Sequence, residues 1–204
     1  MKITLIDAGK RFNRDWIFRH LSYEFNISHS YAITGPNGSG KSTLLQSIAG
    51  AIGVTEGSVQ YTGAGTIPPE KVYRHLSLCA PYLELVEEMT AGEFLHFHAA
   101  FKPFLSGLTI SGIIEKMGLQ AAADKQMRYY SSGMKQRVRL AQALFSDTSV
   151  VLLDEPCTNL DQDGVALYRQ LIAGYAAGRL VVVSSNDTQE YDFCEEIINI
   201  RDYK

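Results

Sequence analysis

The sequence has few cysteines. Cys79, Cys157 and Cys194 are three in 204 residues. They stand far apart with no CxxC pair, which argues against a disulfide scaffold or a zinc cage. In a reducing compartment such thiols act as small apolar residues. Long apolar runs are also missing. The longest, residues 150–153 and 180–183, fall far short of the ~20 residues that a spanning helix needs, so no membrane crossing is expected. Residues 1–7 reach an acid, Asp7, before any apolar stretch, so no secretion signal is expected. Excess charge is missing as well. The net charge is -3, whereas a free-standing nucleic-acid binder is normally basic. There is no internal repeat and no low-complexity tract. What is present is 46% hydrophobic and 20% charged residues, enough apolar surface to offset ordering entropy. The length suits one domain, or one domain with an inserted lobe.

Local patterning predicts strands first. Ile3 and Leu5, then Leu21, Tyr23, Phe25 and Ile27, alternate with polar residues. Residues 31–34 read as a short strand, and Leu44, Leu45, Ile48 and Ala49 have helical spacing that Gly50 and Gly53 stop. Residues 57–61 and 75–79 read as strands, with a Gly/Pro-rich loop at 62–69. The middle is different. Residues 90–101, 109–117 and 133–145 read as helices, and Thr90 with Glu93 forms a capping-box signature. Strand, helix, strand then returns at 150–153, 165–175 and 180–183, with Ile197, Ile198 and Ile200 suggesting a last strand. Alternating strands and helices favour a mostly parallel sheet.

The most specific segment is Gly35, Pro36, Asn37, Gly38, Ser39, Gly40, Lys41, Ser42, Thr43. It fits G-x-x-x-x-G-K-[ST] between an apolar strand and an amphipathic helix. Glycines at 38 and 40 allow positive φ, so that successive N–H groups face inward onto phosphate oxygens. The helix adds its positive end. Lys41 then reaches the β and γ phosphates, and the Ser42 hydroxyl can ligate Mg²⁺. Small-molecule kinases and GTPases share such a loop, so other residues must choose between them.

A second feature is the apolar run at 150–153 ending in Asp154, Glu155 and Pro156. Acids there sit at the carboxyl edge of a parallel sheet, where α/β proteins bind ligands. Asp154 is expected to hold Mg²⁺. Glu155 points differently and can act as general base on a water attacking the γ-phosphate.

The third feature is Tyr130, Ser131, Ser132, Gly133, Met134, Lys135, Gln136, Arg137, ahead of a helix. With the other two it resembles the signature of ATP-binding cassette (ABC) ATPases, L-S-G-G-Q followed by x-Q-R. Ser131, Gly133, Gln136 and Arg137 match it. The resemblance implies an α/β fold, a P-loop NTPase core with a mostly parallel sheet, an N-terminal antiparallel β part and an inserted α-helical lobe. It places the core at 1–81 and 146–204 and the lobe at about 82–145. It also implies that Ser131 and the Gly133 N–H grip the γ-phosphate of ATP held by a second ABC subunit. Asn159, Leu160 and Asp161 resemble the loop that touches that subunit. Phe12 stands at the place of the aromatic that stacks on adenine, with Trp16 as the alternative.

Three of the five core signature positions, Tyr130, Ser132 and Met134, do not match, and the sequence departs from the family at two further places. No Gln occurs between Gln60 and Gln120 to serve at the lobe junction, and Asn186 stands where the family has a His after the last buried strand. An Asn donates a hydrogen bond but shuttles no proton. The expected function is the ATP-binding and ATP-hydrolysing subunit of a transporter, peripheral at the cytoplasmic face of the membrane. It would be slow for want of the Gln and His, and would dock a separate permease through Tyr82, Leu83, Leu85 and Val86. The alternatives are a soluble ABC ATPase of a cytosolic machine, an ATP-dependent dimer switch, or a small-molecule kinase.

Overall fold

The computed structural model describes all residues, Met1–Lys204. They group into two compact units. One comprises Met1–Leu78, Thr148–Asp154 and Gly178–Lys204; the other comprises Cys79–Asp147 and Glu155–Ala177. The expected lobe at 82–145 lies within the second unit, which also takes in residues 155–177.

In the first unit, β1 (Lys2–Phe12) and β2 (Asp15–Asn26) form a hairpin. With β4 (Glu56–Thr62) and β5 (Thr66–Ile67) they make a sheet in the order β2-β1-β4-β5. The pairings β1·β2, β1·β4 and β4·β5 are antiparallel. The pair Thr66–Ile67 lies inside the segment expected to be pure loop; two residues are too short for a periodic signal. The alternation of β1 breaks after Leu5, where the register shifts and Asp7 takes φ 45°. That is a bulge. The second sheet has the order β6-β7-β8-β3-β9, with β3 (Ser30–Thr34), β6 (Leu76–Cys79), β7 (Val150–Asp154), β8 (Leu180–Ser184) and β9 (Glu196–Asn199). Strands β7, β8, β3 and β9 run parallel. Every residue of β7 and β8 is buried, as continuous Val/Leu runs covered on both faces should be. Ile200, expected in the last strand, instead opens a 3-10 turn (Ile200–Tyr203) and is fully buried in the core. Helix α1 (Lys41–Ile48) buries Leu44, Leu45 and Ile48.

The second unit is helical. Helix α2 (Ala91–Phe101) starts from Thr90, whose side chain accepts from the Glu93 N–H while Glu93 accepts from the Thr90 N–H, the expected capping box. Then come α3 (Ile110–Lys116), capped by Thr109, and α4 (Ser132–Leu144), capped by Ser131. Helix α5 (Gln162–Tyr175) is capped by Asp161. Phe145 and Tyr175 meet edge to face at 4.8 Å. A short helix α6 (Thr188–Tyr191) belongs to the first unit.

His98, in the last turn of α2, faces Ser146. Its Nε2 is 2.9 Å from the Ser146 hydroxyl, and its ring stacks on Phe104. Burial, with a smaller push from Lys102, lowers its pKa to about 4. The folded value lies below the unfolded one, so between pH 6.5 and 4 the unfolded chain binds a proton that the native chain refuses. Stability is therefore full above the unfolded pKa and is lost as pH falls through that window. Melting temperature should fall across it, and less steeply in His98→Gln. Equal slopes in the two proteins would remove His98 as the cause.

Candidate nucleotide site

The loop after β3 is shaped by backbone sterics. Gly40 has φ 103°, and a Cβ there would lie 2.2 Å from Ile17 Cγ2. Any side chain there would have to displace that of Ile17, and it would be strained at this φ. Gly38, at φ 74°, needs glycine for its dihedral alone. The Ser39 N–H closes a turn onto the Pro36 carbonyl at 3.1 Å, and the first helical bond runs from the Leu44 N–H to the Gly40 carbonyl. The N–H groups of Lys41, Ser42 and Thr43 thus fall in the first turn of α1, where no helical carbonyl receives them. No acidic residue occupies that turn, which leaves an anion site. Lys41 is 4% exposed, and its ammonium donates to the Gly35 and Pro36 carbonyls at 2.9 and 3.4 Å. Its side chain thus lies over the loop.

Strand register brings further polar groups to the same sheet edge. Asp154, 1% exposed, ends β7 opposite Ser184, which ends the adjacent β8. The Ser184 and Ser39 hydroxyls are both buried without a hydrogen-bond partner, a state that costs free energy unless a ligand relieves it. The sequence reading missed Ser184. Its signal was there, since it ends the 180–183 apolar run as Asp154 ends 150–153. Two residues on, the Asn186 side-chain amide donates to Asn37 Oδ1 at 3.4 Å. Asn186 is thereby joined to the loop.

The aromatic near the chain start is also placed. Phe12 is 47% exposed, with the Lys10 ammonium 5.0 Å from its ring centroid. The ring of Trp16 has the guanidinium groups of Arg11 and Arg19 at 5.3 and 4.4 Å.

The second unit carries the other candidate residues. Ser131 Oγ accepts from the Met134 N–H at 3.2 Å and so caps α4; its hydroxyl proton remains available to a ligand. A cavity of about 410 Å³ opens there, lined by Ser131, Gly133, Met134, Arg137 and the turn at 159–161. A Cβ on Gly133 would lie 2.9 Å from the Asn159 carbonyl oxygen, so the glycine permits the close approach of that turn. Arg137 adds an ion pair to Asp161 at 3.6 Å. Glu155 takes φ 43° and Asn159 φ 65°. The docking residues divide. Tyr82 and Val86 are exposed, but Leu85 is 8% exposed and belongs to the core. Its place in the expected docking set is corrected, because short apolar clusters do not reveal which member turns inward.

The family model described as ABC transporter matches residues 18–158. The chain belongs to the ABC transporter family. Among curated members, the ABC transporter ATP-binding protein YybJ of Bacillus subtilis is 28% identical over 92% of this chain and 87% of its own length. The cytochrome c biogenesis ATP-binding export protein CcmA of Xylella fastidiosa is 33% identical over 76% of this chain and 70% of its own. The B. subtilis ATP-binding protein YxlF is 37% identical, and this chain spans about half of that relative's length, 55%. The fold is that of an ABC cassette. The dimeric cassette MJ0796 superposes with a TM-score of 0.82 at 23% identity, covering 97% of this chain and 94% of that one. An Atm1-family ABC exporter with ATP bound superposes at 0.80 and 19% identity, over 98% of this chain and 37% of the exporter. An ABC cassette is an ATP-binding ATPase domain, and no helix in this one is long and apolar enough to cross a membrane.

Proposed function

We propose that this chain is the ATP-hydrolysing subunit of an ABC transporter and works as a dimer, with a second cassette supplying the signature residues. The observation that carries the reading is the phosphate loop, whose first-turn N–H groups, buried Lys41 and unpartnered Ser39 hydroxyl form a phosphate cradle. Phe12 would stack on the adenine. Ser131 and Gly133 would grip the γ-phosphate of ATP held by the partner cassette.

No group of three or more His, Cys, Asp or Glu forms a metal cage in this protein. A buried carboxylate and a hydroxyl beside a phosphate loop are instead the oxygen donors Mg²⁺ uses with nucleotide phosphates. Asp154 and Ser42 fit that role. Bound there, Mg²⁺ would neutralise charge on the β and γ oxygens. In the hydrolytic step, Glu155 takes a proton from a water whose oxygen attacks the γ-phosphorus. The bond from that phosphorus to the bridging oxygen breaks, and ADP leaves with its electron pair. Asn186 and Asn37 are held to polarise the γ-phosphate side, and turnover is slow because Asn186 accepts no proton.

The exposed Tyr82 and Val86 are proposed to meet a membrane-spanning permease, which would place the chain at the cytoplasmic face. Co-purification with a multi-span membrane protein after detergent extraction is the expected result. A chain recovered only from soluble fractions would count against transport. The dimer has its own test. Gly133→Ala forces a Cβ to 2.9 Å from the Asn159 oxygen and should abolish ATP-induced dimerisation in size-exclusion chromatography while ATP affinity stays unchanged. Retained dimerisation would remove this helix start from the interface.

A further inference from the structure

Helix α4 offers more than its N-terminus. Gln136 and Arg139 lie three residues apart, on one face. Gln136 is fully buried, and its Nε2 donates to the Pro156 carbonyl at 2.8 Å. The same nitrogen lies 3.6 Å from Cys79 Sγ. Arg139 forks. Its Nε donates to the Leu83 carbonyl at 2.7 Å and its Nη1 to Gln136 Oε1 at 3.4 Å. A continuous hydrogen-bonded path therefore runs from the backbone at Leu83, through Arg139 and Gln136, to the backbone one residue beyond Glu155.

The far end of that path needs support. Glu155 has φ 43°, a region costly for a side chain with a Cβ and kept only where the surroundings enforce it. The Glu155 carbonyl accepts from the Thr158 N–H and the Cys157 carbonyl from the Leu160 N–H. That tight turn is held from outside by Gln136 at Pro156, and by Arg137 at Asp161. The near end is the segment flanked by the exposed Tyr82 and Val86. A guanidinium bonded to an amide oxygen polarises that amide and strengthens its N–H as a donor. Loss of Arg139 would thus be felt at Pro156, which it does not touch.

We propose that Arg139 is a positioning residue for hydrolysis, acting through Gln136 to fix the turn that carries Glu155 and tying that geometry to the position of Leu83. The inference rests on Glu155 being the general base. Arg139 acts through its bonds to Leu83 and Gln136, so its effect belongs in kcat and not in ATP binding.

The test measures phosphate release by the purified full chain with Arg139→Met, Gln136→Glu and the double variant, beside Glu155→Gln. Glutamate at 136 keeps an acceptor for Arg139 but loses the donor to Pro156. Each single variant should lose about 10–100-fold in kcat, the scale of a small misplacement of a reacting group. KM for ATP should hold within about twofold, as uniform binding is untouched. The double variant should lose no more than the worse single variant, because both break one path. Hydrogen exchange at the Thr158 and Leu160 amides should rise in Arg139→Met. A wild-type kcat in Arg139→Met while Glu155→Gln is inactive would overturn the relay alone, as would losses that multiply in the double variant. A wild-type rate in Glu155→Gln would bring down the base and the relay together. If Arg139→Met folds poorly, Arg139→Lys keeps charge and length but lacks the fork; its unchanged kcat and exchange would likewise overturn the proposal.

Discussion

Glu155→Gln is expected to reduce steady-state ATP hydrolysis by roughly 10²–10⁴-fold, the usual contribution of a positioned general base, while leaving ATP affinity intact. The substitution is nearly isosteric, so the turn at φ 43° keeps its shape and only the proton acceptor is lost. Phosphate release measures the rate, and equilibrium binding of a fluorescent ATP analogue measures affinity. With hydrolysis blocked, ATP-bound dimers should accumulate and elute earlier on a sizing column. Equal rates for wild type and variant would exclude Glu155 as the base. The slow-turnover reading would then require another proton acceptor, and none of the chain's five histidines adjoins the loop in sequence.

Lys41→Ala should be as severe through a different term. The ammonium is almost wholly buried and bonded to the Gly35 and Pro36 carbonyls, so in the proposed function it is held over the loop where the β and γ phosphates would bind. Removing one such donor typically costs roughly 10²–10³ in rate, and the loss should appear in ATP affinity as well. Glu155→Gln and Lys41→Ala are thus separated by binding, which the first retains and the second weakens. Melting temperature controls for collapse of the loop. Unchanged affinity and rate in Lys41→Ala would remove the phosphate-loop assignment.

The phosphate loop was legible because its chemistry is written in local backbone geometry. Glycines at 38 and 40, a lysine at 41 and a helix behind them say nearly all that the fold later shows. Strands β7 and β8 were legible for a similar reason, since an unbroken Val/Leu run has few places to go but a covered sheet. Thr90 announced α2 through its own side chain. Other features depend on partners distant in sequence, and local pattern does not report them. Leu85 and Val86 are neighbours of like hydrophobicity, yet one is buried and the other 40% exposed. Residues 155–177 follow the acid-tipped strand and read as core, but they group with the helical unit, a choice made by packing. The bond from Arg139 to Leu83 spans 56 residues, and nothing in the spacing of either foretells it.

Trp16 has one more use. It is the only tryptophan of the chain, it lies directly across the hairpin from Arg11, and it is flanked by two guanidinium groups. Indole emission responds to the field of adjacent charge, so the unlabelled protein carries a single optical reporter fixed to the strand pair that bears Phe12. In the proposed function, a base stacking on Phe12 would displace Lys10, next in sequence to Arg11, and should change that emission. Nucleotide arrival could then be followed in milliseconds by stopped flow, before any phosphate is released.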